Sequence, residues 1–204
     1  MSLKKVETKK YLSILSDGHI HMTVDESHPD AKKREYETST GEKGVKYEVL
    51  YQELDGTILG LEFQDGNFGK MLQVSIRDDE NEDFILSIGT ESNYGEDLMK
   101  KLPNVKLLEK IVFSPYAFTD DKGKTRKGIT LYQDGNKIPN FFWDAEKKES
   151  LHGYPKVEGD TKKFQKDDWK IFYMQARKFL INYTEENVCD KLSFNDSLDE
   201  MGAE

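Results

Sequence analysis

Alternating apolar and polar positions, punctuated by Asp-Gly pairs, run through the first two thirds of the chain. In one segment Leu72, Val74 and Ile76 would fall on one face of a strand, with polar residues between them. Asp-Gly favours tight hairpins because glycine tolerates positive φ, and it occurs at residues 17–18, 55–56, 65–66 and 134–135. The pattern predicts strands at 9–15, 19–25, 45–53, 57–64, 68–77, 83–89, 110–118, 128–134 and 137–142.

Two segments have helical spacing instead. The stretch "ESNYGEDLMKKLPNV" predicts a short helix over 93–102, capped by Ser92 or Asn93 and stopped by Pro103. Further on, "DDWKIFYMQARKFLINY" predicts a helix behind an Asp168 cap. Its apolar stripe, which should pack on the rest of the chain, comprises Trp169, Phe172, Ala176, Phe179, Leu180 and Tyr183.

The order of these elements predicts a mainly β fold. Three strands, a short helix and two more strands is the order of the five-stranded OB-fold barrel, here with an extra N-terminal hairpin and a C-terminal helix. An SH3-like barrel or a plain sandwich has a similar strand count. We expect an OB-fold domain over 1–150, a wrap and amphipathic helix over 151–184, and an acidic disordered tail over 185–204.

The chain is acidic, but its charge is unevenly distributed. Its 204 residues carry a formal net charge of -9. Residues 185–204 contain seven acids against one lysine, a composition typical of a solvated tail. Residues 113–143 contain five cations against three acids. A polyanionic ligand would therefore meet a local basic surface on an otherwise acidic molecule.

Cysteine content and hydropathy indicate the compartment. Cys189 is the only cysteine, which excludes an intrachain disulfide and suits a reducing environment. No run approaches the roughly 18 apolar residues of a membrane span, and the lysine-rich start lacks the apolar region of a signal peptide. We therefore expect a cytoplasmic protein.

Aromatic residues and a basic loop coincide within residues 113–143. Tyr116 and Phe118 share one face of their strand, and Tyr132 on the next strand can reach the same face. Bases stack on aromatic rings and phosphates bind cations, so this surface predicts a groove for single-stranded nucleic acid. The cations and polar groups expected to line it are Lys122, Lys124, Arg126, Lys127, Lys137, Lys70, Gln73 and Arg77.

Several of these segments resemble a known family in order along the chain. They are "YQELDGTILGLEF", "KMLQVSIRDDENEDFILSIG", "LPNVKLLEKIVFSPYAFTDDKGKTRKGITLYQDGNKI" and "HGYPKVEG". They are similar to single-stranded DNA-binding proteins of tailed bacteriophages, which have an OB fold, and the similarity runs from about Tyr47 to Leu180. The resemblance implies non-catalytic coating of single-stranded DNA during phage replication, recombination and repair, without a cofactor, in the host cytoplasm. It also implies that Tyr116, Phe118, Tyr132 and the basic loop contact DNA.

The acidic tail is similar to the partner-docking tails of many single-stranded DNA-binding proteins. The residues expected to recruit replication or recombination proteins are Asp196, Asp199, Glu200 and Glu204. Such a tail can also compete with DNA for a basic groove. The chain ends "LDEMGAE", without the terminal aromatic residue that many such tails carry. The sequence leaves open whether the protein is a monomer or a dimer.

One motif points to a different chemistry. In "SDGHIHMTVDESH", Asp17, His19 and His21 form a D-x-H-x-H pattern, and histidines at alternate strand positions can ligate a metal on one face. A metal-dependent hydrolase is therefore an alternative function. The chain has only four histidines and no strand-helix alternation typical of such barrels, so the sequence predicts no metal and no catalysis. A protein-binding β-barrel module is the other alternative.

Overall fold

The computed structural model describes residues 9–38, 40–66 and 69–192. The described part is mainly β, with two α-helices, α1 (Asn93–Met99) and α2 (Lys166–Thr184). Its strands are β1 (Lys10–Ile14), β2 (Ile20–Val24), β3 (Lys32–Glu37), β4 (Lys43–Tyr51), β5 (Leu54–Gly66), β6 (Gly69–Arg77), β7 (Asp83–Gly89), β8 (Lys110–Thr119), β9 (Thr125–Gln133), β10 (Asn136–Lys137), β11 (Trp143–Asp144) and β12 (Glu149–Ser150).

Ten of these strands form one sheet in the order β10-β9-β8-β5-β6-β7-β1-β2-β4-β3, and β11 and β12 pair separately. Strands β5, β6 and β7 are a continuous antiparallel meander, and β8 pairs with β5 on its other side. Strand β1 joins the free edge of β7 in parallel. The remaining N-terminal strands extend the sheet from there.

The sheet is not closed into the five-stranded barrel that the element order predicts. Closure would require the edges of β7 and β9 to pair with each other, but β7 pairs with β1. Strand β10 pairs with the end of this edge of β9, and α1 covers it at Ile129: the Asp97 carboxylate accepts a hydrogen bond from the Ile129 backbone N–H at 2.9 Å, and the Lys101 ammonium donates to the Ile129 carbonyl. These side chains satisfy backbone groups that a closing strand would otherwise bind.

The apolar face of the meander faces the core. Leu72, Val74 and Ile76 of β6 are fully buried, which confirms the alternation predicted from the sequence. Leu98 of α1 and Leu180 of α2 belong to the same buried cluster. Both helices therefore pack on the same core as the sheet, and the face of the sheet opposite this core is called the outer face below.

One predicted strand is largely absent, and some observed strands, among them β3, were not predicted. The strand predicted over 137–142 is reduced to β10, which ends at Lys137, because Pro139 cannot donate a ladder hydrogen bond. Phe142 instead lies in an aromatic cluster, with its ring centroid 5.5 Å from Phe179 and 4.9 Å from Tyr183. Strand β3 was not predicted, because its sequence "KKREYE" is almost entirely polar.

The C-terminal helix starts earlier and continues further than the sequence predicts. It begins at Lys166, so Asp168 is not the cap. Asp168 is instead the third helical residue, and its carboxylate accepts a hydrogen bond from the Gln165 backbone N–H at 2.7 Å, which completes a capping box. A π-helical turn at Glu185–Cys189 then carries the helical chain beyond the predicted tail boundary. Val188 and Leu192 are buried, so residues 185–192 are part of the fold.

Helix α1 matches its predicted start: the Ser92 hydroxyl accepts the Gly95 backbone N–H at 3.0 Å. A single 3₁₀ turn, Leu102–Asn104, follows it and contains the predicted stop, Pro103. In the part of the chain that the structure describes, no helix is both long and apolar enough to cross a membrane.

Candidate nucleic-acid interface

The pairing register of β8 and β9 puts the three predicted aromatic residues on the outer face. Tyr116 lies opposite Gly128, and Val112 lies opposite Tyr132. These pairs alternate with core pairs such as Phe113 opposite Leu131, both fully buried. Tyr116, Phe118 and Tyr132 therefore point away from the core.

Tyr116 and Phe118 form an exposed aromatic pair. Their ring centroids are 5.9 Å apart with planes tilted by 36°, and the residues are 37% and 55% exposed. The Tyr116 ring extends over Gly128: a Cβ on that glycine would lie 2.5 Å from the Tyr116 hydroxyl and 2.6 Å from an Asp97 carboxylate oxygen. Glycine at this position lets the ring lie flat across β9 toward α1.

The environment of Tyr116 also shifts its acidity. Partial burial, assisted by the nearby Asp97 carboxylate, raises the pKa of the Tyr116 phenol above its usual value. The phenol is therefore neutral at physiological pH and does not repel a phosphate. Asp97 is itself held by an ion pair with Lys101 at 2.8 Å.

The loop between β8 and β9 is organised by Asp120. One carboxylate oxygen accepts the backbone N–H groups of Lys122 and Lys124 at 3.1 and 2.9 Å, and the other accepts Arg126 Nε at 2.9 Å. The backbone hydrogen bonds, with that from Arg126, lower the pKa of Asp120. Arg126 is thus an internally paired cation. Within the described residues, Lys122 and Lys124 are exposed and form no ion pair.

The other predicted cations of this region are distributed differently. Lys137 pairs with Tyr132 in the β10–β9 register and is exposed, so it lies beside the aromatic face. Lys127 lies opposite Ala117 and faces the other side of the hairpin from Arg126. It is half-buried and lines a groove between β9 and α2.

Strand β6 contributes less to this surface than the sequence predicts. Lys70 has the same strand parity as the buried Leu72, so its side chain lies on the core side of the sheet. Its Nζ is 3.9 Å from Glu185 Oε1 and 5.2 Å from the centroid of the Phe63 ring. Gln73 and Arg77 do lie on the outer face, but β5 separates their strand from β8, which carries the aromatic pair. Gln73 donates to Ser87, and Arg77 binds both carboxylate oxygens of Asp83 at 2.7 and 3.0 Å.

The D-x-H-x-H motif, the basis of the alternative metal-dependent function, belongs to a network of ion pairs and hydrogen bonds in the structure. The buried ring of His21 places Nδ1 2.9 Å from Glu48 Oε2 and Nε2 3.1 Å from each carboxylate oxygen of Asp17. Arg34 donates two hydrogen bonds to Glu48, at 2.7 and 2.6 Å. His19 Nδ1 lies 3.4 Å from Asp17. Both nitrogens of His21 thus face carboxylate oxygens rather than an open coordination position.

These contacts shift the carboxylates toward their charged forms. Hydrogen bonds from Arg34, and then from His21, hold the pKa of Glu48 below its usual value despite burial. Burial alone would raise the pKa of Asp17, but hydrogen bonds from the His19 backbone and the His21 ring lower it. Among the residues that the structure describes, no group of three or more His, Cys, Asp or Glu is arranged to hold a metal ion.

Sequence reasoning missed two features near the aromatic pair. Tyr173 lies outside the apolar stripe predicted for α2, so the sequence pattern assigned it no role. It is 50% exposed and lines the same groove as Tyr116 and Lys127. The i, i+4 spacing of Asp97 and Lys101 was the available signal for their joint role at the β9 edge. The tail residues Asp196, Asp199, Glu200 and Glu204 lie outside the described residues.

No family model matches the chain, and no curated protein or solved structure matches it either. The resemblance to phage single-stranded DNA-binding proteins therefore stays a prediction from sequence.

Proposed function

We propose that this chain is a non-catalytic single-stranded DNA-binding protein whose binding surface is the outer face of the β8–β9 hairpin. The observation that carries this proposal is the exposed Tyr116–Phe118 pair next to a loop whose lysines, Lys122 and Lys124, form no ion pair within the described residues. Exposed aromatic rings cost solvation free energy, so a ligand that stacks on them is favoured.

The chemistry of this surface favours single strands over duplex. An unpaired base presents a π face to the Tyr116 or Phe118 ring, whereas the faces of paired bases are stacked within a duplex. Stacking contributes about 1–3 kcal/mol per base without reading sequence. Lys122, Lys124 and Lys137 can each approach a phosphate, so binding should weaken as salt rises.

The arrangement of β5 to β9 supports an OB-type unit within the larger sheet. It has a three-stranded antiparallel meander, then α1, then the β8–β9 hairpin, with β8 pairing back to β5. OB folds are often only partly closed barrels, and here α1 covers the edge that closure would use. An OB-type unit that coats single-stranded DNA would serve phage replication, recombination and repair, as the sequence resemblance implies.

The acidic C-terminal residues would act as a docking segment for replication or recombination proteins and would compete with DNA for the loop lysines. The sequence after Leu192 contains four acids and no lysine or arginine. Because Val188 and Leu192 are buried, a clean test removes only residues 193–204. We expect this truncation to strengthen DNA binding at low salt; an unchanged dissociation constant would refute competition.

The proposal is tested by fluorescence anisotropy with a labelled oligo-dT of about 30 nucleotides, longer than the roughly 4–16 nucleotides that an OB fold occupies. The titration is run at low and at high salt, with an unlabelled duplex of equal length as competitor. We expect salt-dependent binding that the duplex does not displace. Absence of binding at low salt would refute the proposal. Displacement of the labelled oligo-dT by duplex would show that aromatic stacking is not the basis of binding.

A further inference from the structure

A groove of about 510 Å³ separates the β8–β9 hairpin from α2. Tyr116 and Lys127 line one side, and Tyr173 and Arg177 line the other. We infer that this groove and the adjoining surface of α2 form a second segment of the binding site, which takes the same single-stranded DNA as it leaves the Tyr116–Phe118 pair. This inference rests on the proposed function and extends it to a helix that the sequence assigned only to packing.

The α2 surface has the side chains that single-stranded DNA requires. Trp169 and Tyr173, one helical turn apart, are stacked with ring centroids 6.0 Å apart and planes 27° apart. Lys170 lies three residues before Tyr173 and Lys166 three residues before Trp169, spacings that put each lysine beside one of the two rings, and both lysines are exposed without an ion pair among the described residues. Aromatic planes flanked by unpaired lysines suit stacked bases with phosphates alongside.

The charges within the groove do not oppose a phosphate chain. Every acid that lines it has a cation partner: Glu91 with Arg177 at 3.0 Å, Glu96 with Lys100 at 2.5 Å and Asp97 with Lys101 at 2.8 Å. Lys127 has no such partner within the described part of the chain. The groove therefore presents one uncompensated positive charge between its two aromatic walls.

Continuity with the β8–β9 surface identifies the occupant. Tyr116 belongs to both surfaces, because its ring contacts Phe118 on one side and lines the groove on the other. A strand stacked on Phe118 and Tyr116 would meet Tyr173 and then Trp169 as it continues. A ligand that bound α2 alone would not account for the shared tyrosine.

Binding of two oligo-dT lengths to the full chain tests this path. A short probe of about 6 nucleotides can be held by the Tyr116–Phe118 surface alone, whereas one of about 20 nucleotides can also reach α2. We expect Tyr173→Ala to weaken binding of the long probe about tenfold, which corresponds to the loss of one stacked base. The same variant should leave the affinity for the short probe unchanged. Tyr173→Phe should restore long-probe binding, because it keeps the ring.

Controls separate this inference from the proposed function. Ile171→Ala removes an equally exposed apolar side chain from another side of α2, and it should leave both affinities unchanged. Phe118→Ala should weaken both probes. If Tyr173→Ala binds the long probe as tightly as wild type while Phe118→Ala loses affinity, the α2 segment is wrong and the β8–β9 site stands. If wild type binds neither probe, both proposals fail.

Discussion

Two hairpins carry the charged and aromatic residues that stand out in the sequence, and the fold treats them in opposite ways. In the β1–β2 hairpin, the ring of His21 lies between the carboxylates of Asp17 and Glu48, Arg34 binds Glu48, and His21 and Glu48 are buried. In the β8–β9 hairpin, Tyr116 and Phe118 are exposed and the loop lysines are unpaired among the described residues. Polar groups that satisfy one another stabilise the fold, whereas groups left exposed remain available for a ligand.

The two hairpins also touch, so the first supports the second. Gly18, in the β1–β2 turn, has φ of +82°, and a Cβ there would lie 2.4 Å from the Ala117 backbone nitrogen. Only glycine allows this approach to the strand that carries the aromatic pair. The ion-pair network that anchors β2 to β4 therefore also holds a turn against the proposed binding strand.

The largest effect should come from removing the centre of that network. Glu48→Ala leaves Arg34 without its carboxylate and Nδ1 of the buried His21 without its partner, and breaking a buried pair in this way costs about 3–5 kcal/mol of unfolding free energy. Urea unfolding measures the loss. The matched control is Glu35→Ala, whose 78% exposed side chain pairs with Lys33 and should change stability by less than about 1 kcal/mol. Equal effects of the two substitutions would show that the network is not structural.

Acidification should weaken the same network. The pKa of Glu48 is lower in the folded protein than in the unfolded chain, so its stabilising contribution is complete above the unfolded value, about 4.3. It is lost as pH falls through the folded pKa. Unfolding experiments on wild type and Glu48→Ala from about pH 6 to pH 3 should therefore show the stability difference shrinking at the acid end. A difference that grows on acidification would mean that the sign is wrong.

An intermediate effect is expected for the aromatic pair, on DNA binding rather than stability. Phe118→Ala removes a 55% exposed ring and should cost about 1–3 kcal/mol of oligo-dT binding free energy. Unfolding free energy should stay within about 0.5 kcal/mol of wild type, since surface substitutions rarely do more. Tyr11→Ala, which removes a 65% exposed ring from β1, is the control. Similar losses of affinity in both variants would refute a localised site.

The smallest effect belongs to single loop lysines. Lys122→Ala or Lys124→Ala should each reduce the salt dependence of oligo-dT binding by about one phosphate contact, measured as the slope of log affinity against log salt. Lys33→Ala is the control: it removes the same charge from β3, at the far edge of the sheet, and should leave the slope unaltered. A uniform change in all three variants would indicate a general charge effect instead of contacts at the loop.

The pattern of apolar and polar residues along the chain was sufficient to predict part of this fold but not all of it. Alternation predicted the buried face of β6, and it also put Tyr116 and Phe118 on a common face. It could not predict that β1 pairs in parallel with β7, because that pairing joins segments about seventy residues apart. Strand β3 was missed because Arg34, which binds Glu48 of β4, has the sequence character of a surface residue. Its contact with Glu48 exists only in the folded structure.

The candidate site shows the same division. Residue types and strand parity located the aromatic face and the basic loop. The pairing of Arg126 with Asp120, the position of Lys70 on the core side and the exposure of Tyr173 depend on tertiary contacts. They could not be read from spacing along one element.

Hydrogen exchange with and without a saturating oligo-dT compares the two hairpins in one experiment. Backbone amides in a bound surface exchange more slowly, and mass spectrometry of peptides reports each region separately. The account predicts new protection in peptides that cover residues 114–132 and none in those that cover residues 17–24 and 44–50. Protection confined to the β1–β2 hairpin and β4, with β8–β9 unchanged, would contradict it.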